Sequence, residues 1–414
     1  MQKGFLKKIV IFFSVLGPSI ITTMAGNDGA GVITYSFAGA RLGYTALFIL
    51  PIVTILYGLT QEMGSRVAIV TGKGLGDLIR ERFGVRVAML IFITIIIANF
   101  GTLLTNVAAL KVASEMLSIP SAPFILVTVA LCFLLVTFTE YDKSQKIFLT
   151  GIIFYLAYIF SAIMSNPNWG ESTRSLFTPQ KSMLSQEYFI LAIAIIGTTI
   201  TPWGQFFVQS YMKDKNVPIS RLRYAKIEAY LGAFISNFFS FFIIIATAAT
   251  LFAHKIPLDS GEKAALAIKP FAGELAGLLF AGGLINASII GIIIISLTSA
   301  YAFSEFFGFT GSLDEPYKKG KPFYLNFLLA MLIPTVLVLT PFFPLFKIVL
   351  YTQSLNGILL PIFFYFLLKI VNDSELMGKY VNGKLYNIFS VIAIITIALT
   401  AILAVIFSLY KNFT

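Results

Sequence analysis

Apolar residues run along this chain in long continuous stretches, not in the alternation of a strand or the one-sided spacing of a soluble helix. A membrane-crossing helix needs about 20 apolar residues. Eleven stretches meet or nearly meet that length: about 9–40 (interrupted), 44–70, 87–110, 122–139, 146–165, 187–212 (interrupted), 227–253, 272–306, 323–341, 344–369 and 385–410. A transmembrane β-barrel would show short alternating segments instead. The pattern predicts an all-α membrane protein of eleven transmembrane helices, a single membrane domain over 1–414. The longest connections, near 166–186 and 254–271, are too short for a soluble domain and read as extracellular.

Two of the stretches are broken at mid-depth by polar, helix-disrupting residues: Ala25-Gly26-Asn27-Asp28-Gly29-Ala30-Gly31 in the first and Gly197-Thr198-Thr199-Ile200-Thr201-Pro202-Trp203-Gly204-Gln205 in the sixth. Backbone groups in hydrocarbon must be hydrogen-bonded, so unwound chain is tolerated only where it is enclosed by protein or lines a cavity. Glycine permits unusual dihedrals, and proline removes a helix donor. The chain is therefore expected to be non-helical from Gly26 to Gly31 and from Thr199 to Gly204. Matched breaks in spans one and six point to two five-span repeats of inverted topology with a site at their interface. Repeat one covers about 9–165 and repeat two about 187–369, with an extra helix at about 385–410. Close packing of small residues is the plainer explanation for a glycine cluster. It accounts for Ala281-Gly282-Gly283 but not for Asp28, because a carboxylate near the bilayer centre costs roughly 2.5–3.5 kcal/mol on insertion scales.

Composition agrees with the pattern. Hydrophobic residues make up 57% of the 414 and charged residues 12%, against about 25% charged in a soluble domain, which excludes a soluble enzyme. The one cysteine, Cys132, lies in an apolar run and excludes a disulfide scaffold. A net charge of +11 would suit nucleic acid if the basic residues clustered, but they are spread from loop to loop. With the N-terminus in the cytoplasm, 21 of the 30 Lys and Arg residues fall inside, as the positive-inside rule requires. The chain is thus expected in the cytoplasmic membrane, N-terminus in and C-terminus out. The N-terminal stretch has the look of a signal peptide, but no small-residue cleavage site follows, so it reads as the first span.

The residues after the first break are familiar. Asp28 to Tyr44 resembles the first-span motif of NRAMP divalent-metal transporters, in which Asp-Pro-Gly-Asn is followed at this spacing by Ala-Gly-Ala-x-x-Gly-Tyr. Gln61, Arg66 and Thr71-Gly72-Lys73 continue the match, and the span count extends it over essentially the whole chain. The resemblance implies a LeuT-type inverted repeat (spans 1–5 and 6–10) with broken helices 1 and 6, and a divalent metal ion as cargo. The departures are specific. Gly29, Ala30 and Gly31 replace the family's Pro, Gly and Asn, so the Asn ligand is missing at Gly31. The family's Met-Pro-His-Asn in span six becomes Thr201-Pro202-Trp203-Gly204-Gln205. Alignment on Pro202 puts Thr201 in place of Met; alignment on Gln209-Ser210 shifts this by one and makes Gln205 the Asn equivalent. Span three, where the family carries acidic residues for proton transfer, reads Ala98-Asn99-Phe100-Gly101-Thr102. The pattern looks like the NRAMP-related magnesium transporters, and Asn356 sits where the family has a polar residue near the ion path.

Thioether and imidazole favour softer transition ions, whereas carboxylate, carbonyl and water suit Mg²⁺ and Mn²⁺. The candidate donors are all oxygens: Asp28, Asn27, Thr201, Gln205 and carbonyls freed by unwinding, around Gly31 and Gly204. Mg²⁺ keeps several waters and takes one or two carboxylates, which fits one aspartate and a site widened at Gly31. The expected function is facilitated uptake of hydrated Mg²⁺ (or Mn²⁺) without proton coupling, by a monomer in the lipid bilayer, with no cofactor, no nucleic-acid partner and no enzymatic activity. A proton-coupled transition-metal importer is the alternative. A cation-coupled amino-acid symporter on the same architecture is a further one, disfavoured because Asp28 would repel an anionic substrate. Glu62 and Arg66 read as a structural pair, Glu305 as interfacial, and the span-three stripe of Asn99, Thr102, Thr105 and Asn106 as glue between helices. His254, the single histidine, falls in an external loop.

Overall fold

The apolar stretches form helices in the computed structural model, which describes residues 17–256, 274–340 and 345–413. The predicted segments 9–16 and 257–271 and the junction at 341–344 lie outside the described residues. Among those residues there are helices and turns and no strands. Nine helical runs are long and apolar enough to cross a membrane. One of them, Gly29–Thr71, joins the second half of span one to span two, and the 17-residue Ser121–Thr137 supplies span four. Eleven spans result.

Span one is two half-helices, Pro18–Ala25 and Gly29–Leu42. Span two is Ile49–Thr71, span three Leu75–Met116 and span four Ser121–Thr137. Span five runs from Tyr141 to Met164 through a 3₁₀ turn at Ile152–Tyr155. Span six is again halved, into Gln186–Thr199 and Pro202–Asp214. Spans seven to eleven are Leu222–Thr247, Glu274–Phe307, Lys321–Leu339, Leu345–Val371 and Lys384–Phe413. Span three is longer than the 24 residues expected, because a preceding helical segment joins it across a kink at Gly84 to give 42 residues. Gly84 has φ +82°, a conformation open to glycine.

Spans seven and eight are the walls of the core. Span seven packs along span two and both halves of span one, span eight along span three, and the first half of span six along span ten. Leu126, Leu131, Leu329, Ile333, Ile388 and Ile392 point outward and stay exposed, as lipid-facing residues do.

The end of the bundle that carries Gly17 is closed by buried charge. Glu228 of span seven accepts the backbone N–H groups of Gly17, Ser19 and Ile20 on one carboxylate oxygen, at 2.7, 3.1 and 3.2 Å. Those are orphan donors at the start of a half-helix whose own N-cap residue offers no side chain. Glu62 and Arg66 form the expected pair, with two hydrogen bonds of 2.9 Å. Arg66 also donates to the Tyr380 carbonyl and Asn382 Oδ1, both at 2.6 Å, tying span two to the segment before span eleven. Glu305, two residues from the end of span eight, is enclosed by protein. It is buried, accepts from Ser210 Oγ at 2.6 Å and from the Gly76 N–H at 3.0 Å, and so joins spans eight, six and three. Glu228→Ala should cost about 1–3 kcal/mol of stability by leaving these donors unpaired, read as a lower thermal midpoint in detergent. Glu228→Gln, which keeps an acceptor oxygen, should recover most of the loss.

Candidate metal site at the two breaks

The breaks are narrower than the sequence predicts. Only Gly26–Asp28 and Ile200–Thr201 leave the helices; Gly29–Gly31 and Pro202–Gly204 are helical. Capping explains the difference. Asp28 Oδ1 accepts the Gly31 N–H at 2.7 Å, and Thr201 Oγ1 accepts the Gly204 N–H at 3.1 Å. Each second half-helix therefore starts directly after its cap, and Pro202 fits the first helical position because no N–H is needed there. The two breaks use the same device: a cap whose side-chain oxygen takes the N–H three residues on. Asp28 and Gly31 at the first break thus correspond in role to Thr201 and Gly204 at the second.

The carbonyls released where the first half of span one ends are taken up by tyrosines. Tyr57 Oη donates to the Thr22 carbonyl at 3.2 Å, and Tyr155 Oη lies 3.2 and 3.1 Å from those of Met24 and Asn27. The two breaks adjoin. Tyr35 Oη is 2.7 Å from Thr199 Oγ1, and a Cβ placed on Gly26 would lie 3.3 Å from the Thr199 carbonyl oxygen.

Asp28 is 2% exposed. Its second oxygen, Oδ2, accepts from Asn106 Nδ2 at 2.8 Å. Span eight closes in behind it, for a Cβ on Gly291 would come within 2.7 Å of the Asp28 Cβ. Thus Asp28 sits at a helix N-terminus, where the dipole favours its negative charge, and is held by donors at both oxygens.

The other expected residues are distributed around it. Gly31 supplies the capping N–H. Thr201 and Gly204 form the second cap, and a Cβ on Gly204 would stand 3.8 Å from Gln61 Nε2. Gln205 lies one turn further, with Nε2 3.5 Å from Thr60 Oγ1. Asn356 donates to Thr102 Oγ1 at 3.0 Å and to Gln353 Oε1 at 3.1 Å. It reaches Asp28 only through Thr102 and Asn106, whose Nδ2 also donates to the Thr102 carbonyl at 2.9 Å. Asn27 turns the other way. Its amide donates to the Ser236 carbonyl at 2.7 Å, and its oxygen accepts from Ser240 Oγ at 2.7 Å, so the side chain binds span seven instead of facing Asp28.

Asn106 is the residue of this site that sequence reasoning left among the helix glue. Five buried amides on spans two, six and ten carry side-chain atoms without a protein partner among the described residues: both of Gln61, Oε1 of Gln205, Oε1 of Gln209, Nε2 of Gln353 and Oδ1 of Asn356. His254 is remote, with Nδ1 2.7 Å from the Thr250 carbonyl.

Two broken helices meeting at capped half-helix starts inside an eleven-span bundle define the class, a membrane protein of the LeuT-type transporter fold. Residues 19–407 match the natural resistance-associated macrophage protein-like family, abbreviated Nramp, and the chain belongs to that family. It is 24% identical over 402 residues to the divalent metal cation transporter MntH of Pectobacterium carotovorum, covering 95% of this chain and 94% of that protein. The fold is similar to the crystal structure of the Eremococcus coleocola manganese transporter, with TM-score 0.74 and 18% identity over 96% of this chain and 86% of that one. It is also similar to Mhp1, a nucleobase-cation-symport-1 family transporter in a closed conformation, with TM-score 0.57 and 16% identity over 97% and 90% of the two chains.

Proposed function

We propose that this chain facilitates the uptake of divalent cations, with hydrated Mg²⁺ as the preferred cargo and Mn²⁺ second, and moves no proton in return. The carrying observation is Asp28: the only carboxylate in either break, buried, and accompanied at the second break by a hydroxyl cap, with no thioether or imidazole in Gly26–Asp28 or Ile200–Thr201. That donor set suits hard ions. The unpartnered amide atoms of Gln61 and the free Oε1 atoms of Gln205 and Gln209 are suited to the water shell that Mg²⁺ retains. Relatives named for divalent metal cation transport support the divalent class.

Asn27 stays in this proposal through its backbone alone, and Asn356 as an outer contact. On the alignment at Pro202, Thr201 stands in place of the family's Met, a substitution that supports reading the chain with the NRAMP-related magnesium transporters. The halves 9–165 and 187–369 would rock about the site, with the chain a monomer in the cytoplasmic membrane, N-terminus inside and C-terminus outside. An inside-negative potential, worth about 2.3 kcal/mol per charge per 100 mV, draws a dication inward unaided. No cofactor and no enzymatic step are needed.

A second reading, a proton-coupled transition-metal importer, is favoured by the manganese transporter among the structural neighbours. Thr201→Met separates the two. Adding a thioether at the second cap should raise the affinity for Mn²⁺ or Cd²⁺ over Mg²⁺ about tenfold in competition uptake assays. An unchanged preference would contradict the place given to Thr201.

A further inference from the structure

Spans ten and eleven leave an open groove of about 410 Å³ on the outer surface of the bundle. Span ten lines it with Tyr365, Leu368, Lys369 and Asn372, spaced three and four apart as one face of a helix. Span eleven supplies Val391, Ile394 and Ile395. Tyr365, Val391 and Ile395 are exposed. Leu368 and Ile394 also wall a narrower crevice that reaches Leu56 and Met63, so the apolar surface continues inward to span two.

One end of the groove is polar. Asn372 and Asn387 exchange hydrogen bonds of 2.9 Å each and bridge the two spans where span ten finishes. Lys369 stands one turn inside this bridge, exposed, with Nζ 5.8 Å from the centre of the Tyr365 ring. The acids next to it in sequence are taken. Arg82 holds Asp373 at 3.3 Å and Glu375 at 2.8 Å. The groove lining contains no carboxylate, and among the described residues Lys369 has no carboxylate partner. An uncompensated ammonium beside an apolar groove, at the level where a span leaves the bilayer, matches a lipid with a negative headgroup. Its phosphate meets the lysine while its chain lies along the apolar stripe. A second copy docked here about a two-fold axis would bring only the same acid-free lining to Lys369.

We propose that the groove between spans ten and eleven binds an anionic phospholipid, with its phosphate on Lys369 and one acyl chain along Leu368, Val391 and Ile394. With the N-terminus inside, that lipid comes from the cytoplasmic leaflet. The site uses no residue of the two breaks, so it stands or falls apart from the cargo assigned above.

The test reads the dissociation constant of the first lipid bound by the full chain. Native mass spectrometry follows it as dioleoyl phosphatidylglycerol or dioleoyl phosphatidylcholine is added to detergent micelles. The unsubstituted chain should bind phosphatidylglycerol more tightly. Lys369→Gln should weaken that binding about fivefold, the contribution of one lysine at an anionic surface, and leave phosphatidylcholine unmoved. Lys369→Arg should keep the affinity. Val391→Trp, which fills the groove from an exposed position, should weaken binding of both lipids. Lys379→Gln is the control, because Lys379 lies near the same end, over the Tyr380 ring at 5.4 Å, and outside the groove. Its loss should change nothing. Equal affinity for the two lipids, or an equal loss in Lys379→Gln, would overturn the proposal in favour of diffuse attraction to a basic end. Displacement of the lipid by inorganic phosphate at the lipid's own concentration would overturn the role of the groove. A dimer that Val391→Trp splits would give the groove to a second copy instead.

Discussion

Asp28→Asn is expected to leave a folded, membrane-inserted protein that carries almost no Mg²⁺, with uptake down by a hundredfold or more. Asp28 alone supplies formal negative charge at the breaks. At an effective dielectric of about 20, a dication about 4 Å from a carboxylate gains on the order of 8 kcal/mol before desolvation is subtracted. An intervening water reduces that severalfold, yet each 1.4 kcal/mol lost weakens binding about tenfold. The substitution also carries a structural cost. The Gly31 N–H and the Asn106 amide both donate to Asp28, and a carboxamide offers a single acceptor oxygen, so one donor would face an NH₂. That mismatch costs about 1–3 kcal/mol, too little to unfold the chain. Size-exclusion elution and thermal midpoint report the structural cost, and ⁠uptake reports the electrostatic one.

Gly31→Asn, which restores the residue the family carries at this position, should reduce uptake at least tenfold and lower the yield of folded protein. A Cβ on Gly31 would stand 2.5 Å from the Gly26 carbonyl oxygen and 3.4 Å from Asp28 Oδ1. The first contact is with backbone, which must move for any side chain to fit, and moving it disturbs the turn that presents Asp28. The added amide is therefore expected to distort the site before it can serve as a ligand. Gly31→Ala shares the Cβ without the amide and should show a similar loss, measured as uptake per unit of folded protein. Full uptake by Gly31→Asn, with a gain in transition-metal affinity, would show that the Gly26 carbonyl yields freely and that only ligand chemistry distinguishes this site.

The spans and both breaks were legible because they depend on local properties: uninterrupted apolar length, glycine and proline at mid-depth, and one carboxylate with no charge near it in its own span. The limits of the breaks were not. Gly29–Gly31 and Pro202–Gly204 look like helix breakers, but whether they unwind depends on whether Asp28 and Thr201 turn their oxygens back to cap the next turn. The partners of polar residues were the other blind spot. Asn27 and Asn106 are equally plausible as donors in the sequence, and only the packing of spans three and seven sends Asn106 to Asp28 and Asn27 to Ser236 and Ser240. Glu228 caps a half-helix more than 200 positions away, so its role has no local signal beyond a lone carboxylate near the start of an apolar span. The contacts of Glu305 were hidden for the same reason: its partners, Gly76 and Ser210, come from spans three and six.

Uptake of Mg²⁺ into proteoliposomes that contain a pH-sensitive dye, under an inside-negative potassium diffusion potential, tests the central claim most directly. The account predicts Mg²⁺ entry that rises with the potential, vanishes in Asp28→Asn, and leaves the internal pH unchanged. Acidification of the lumen in step with metal entry would contradict it and place the chain with the proton-coupled importers.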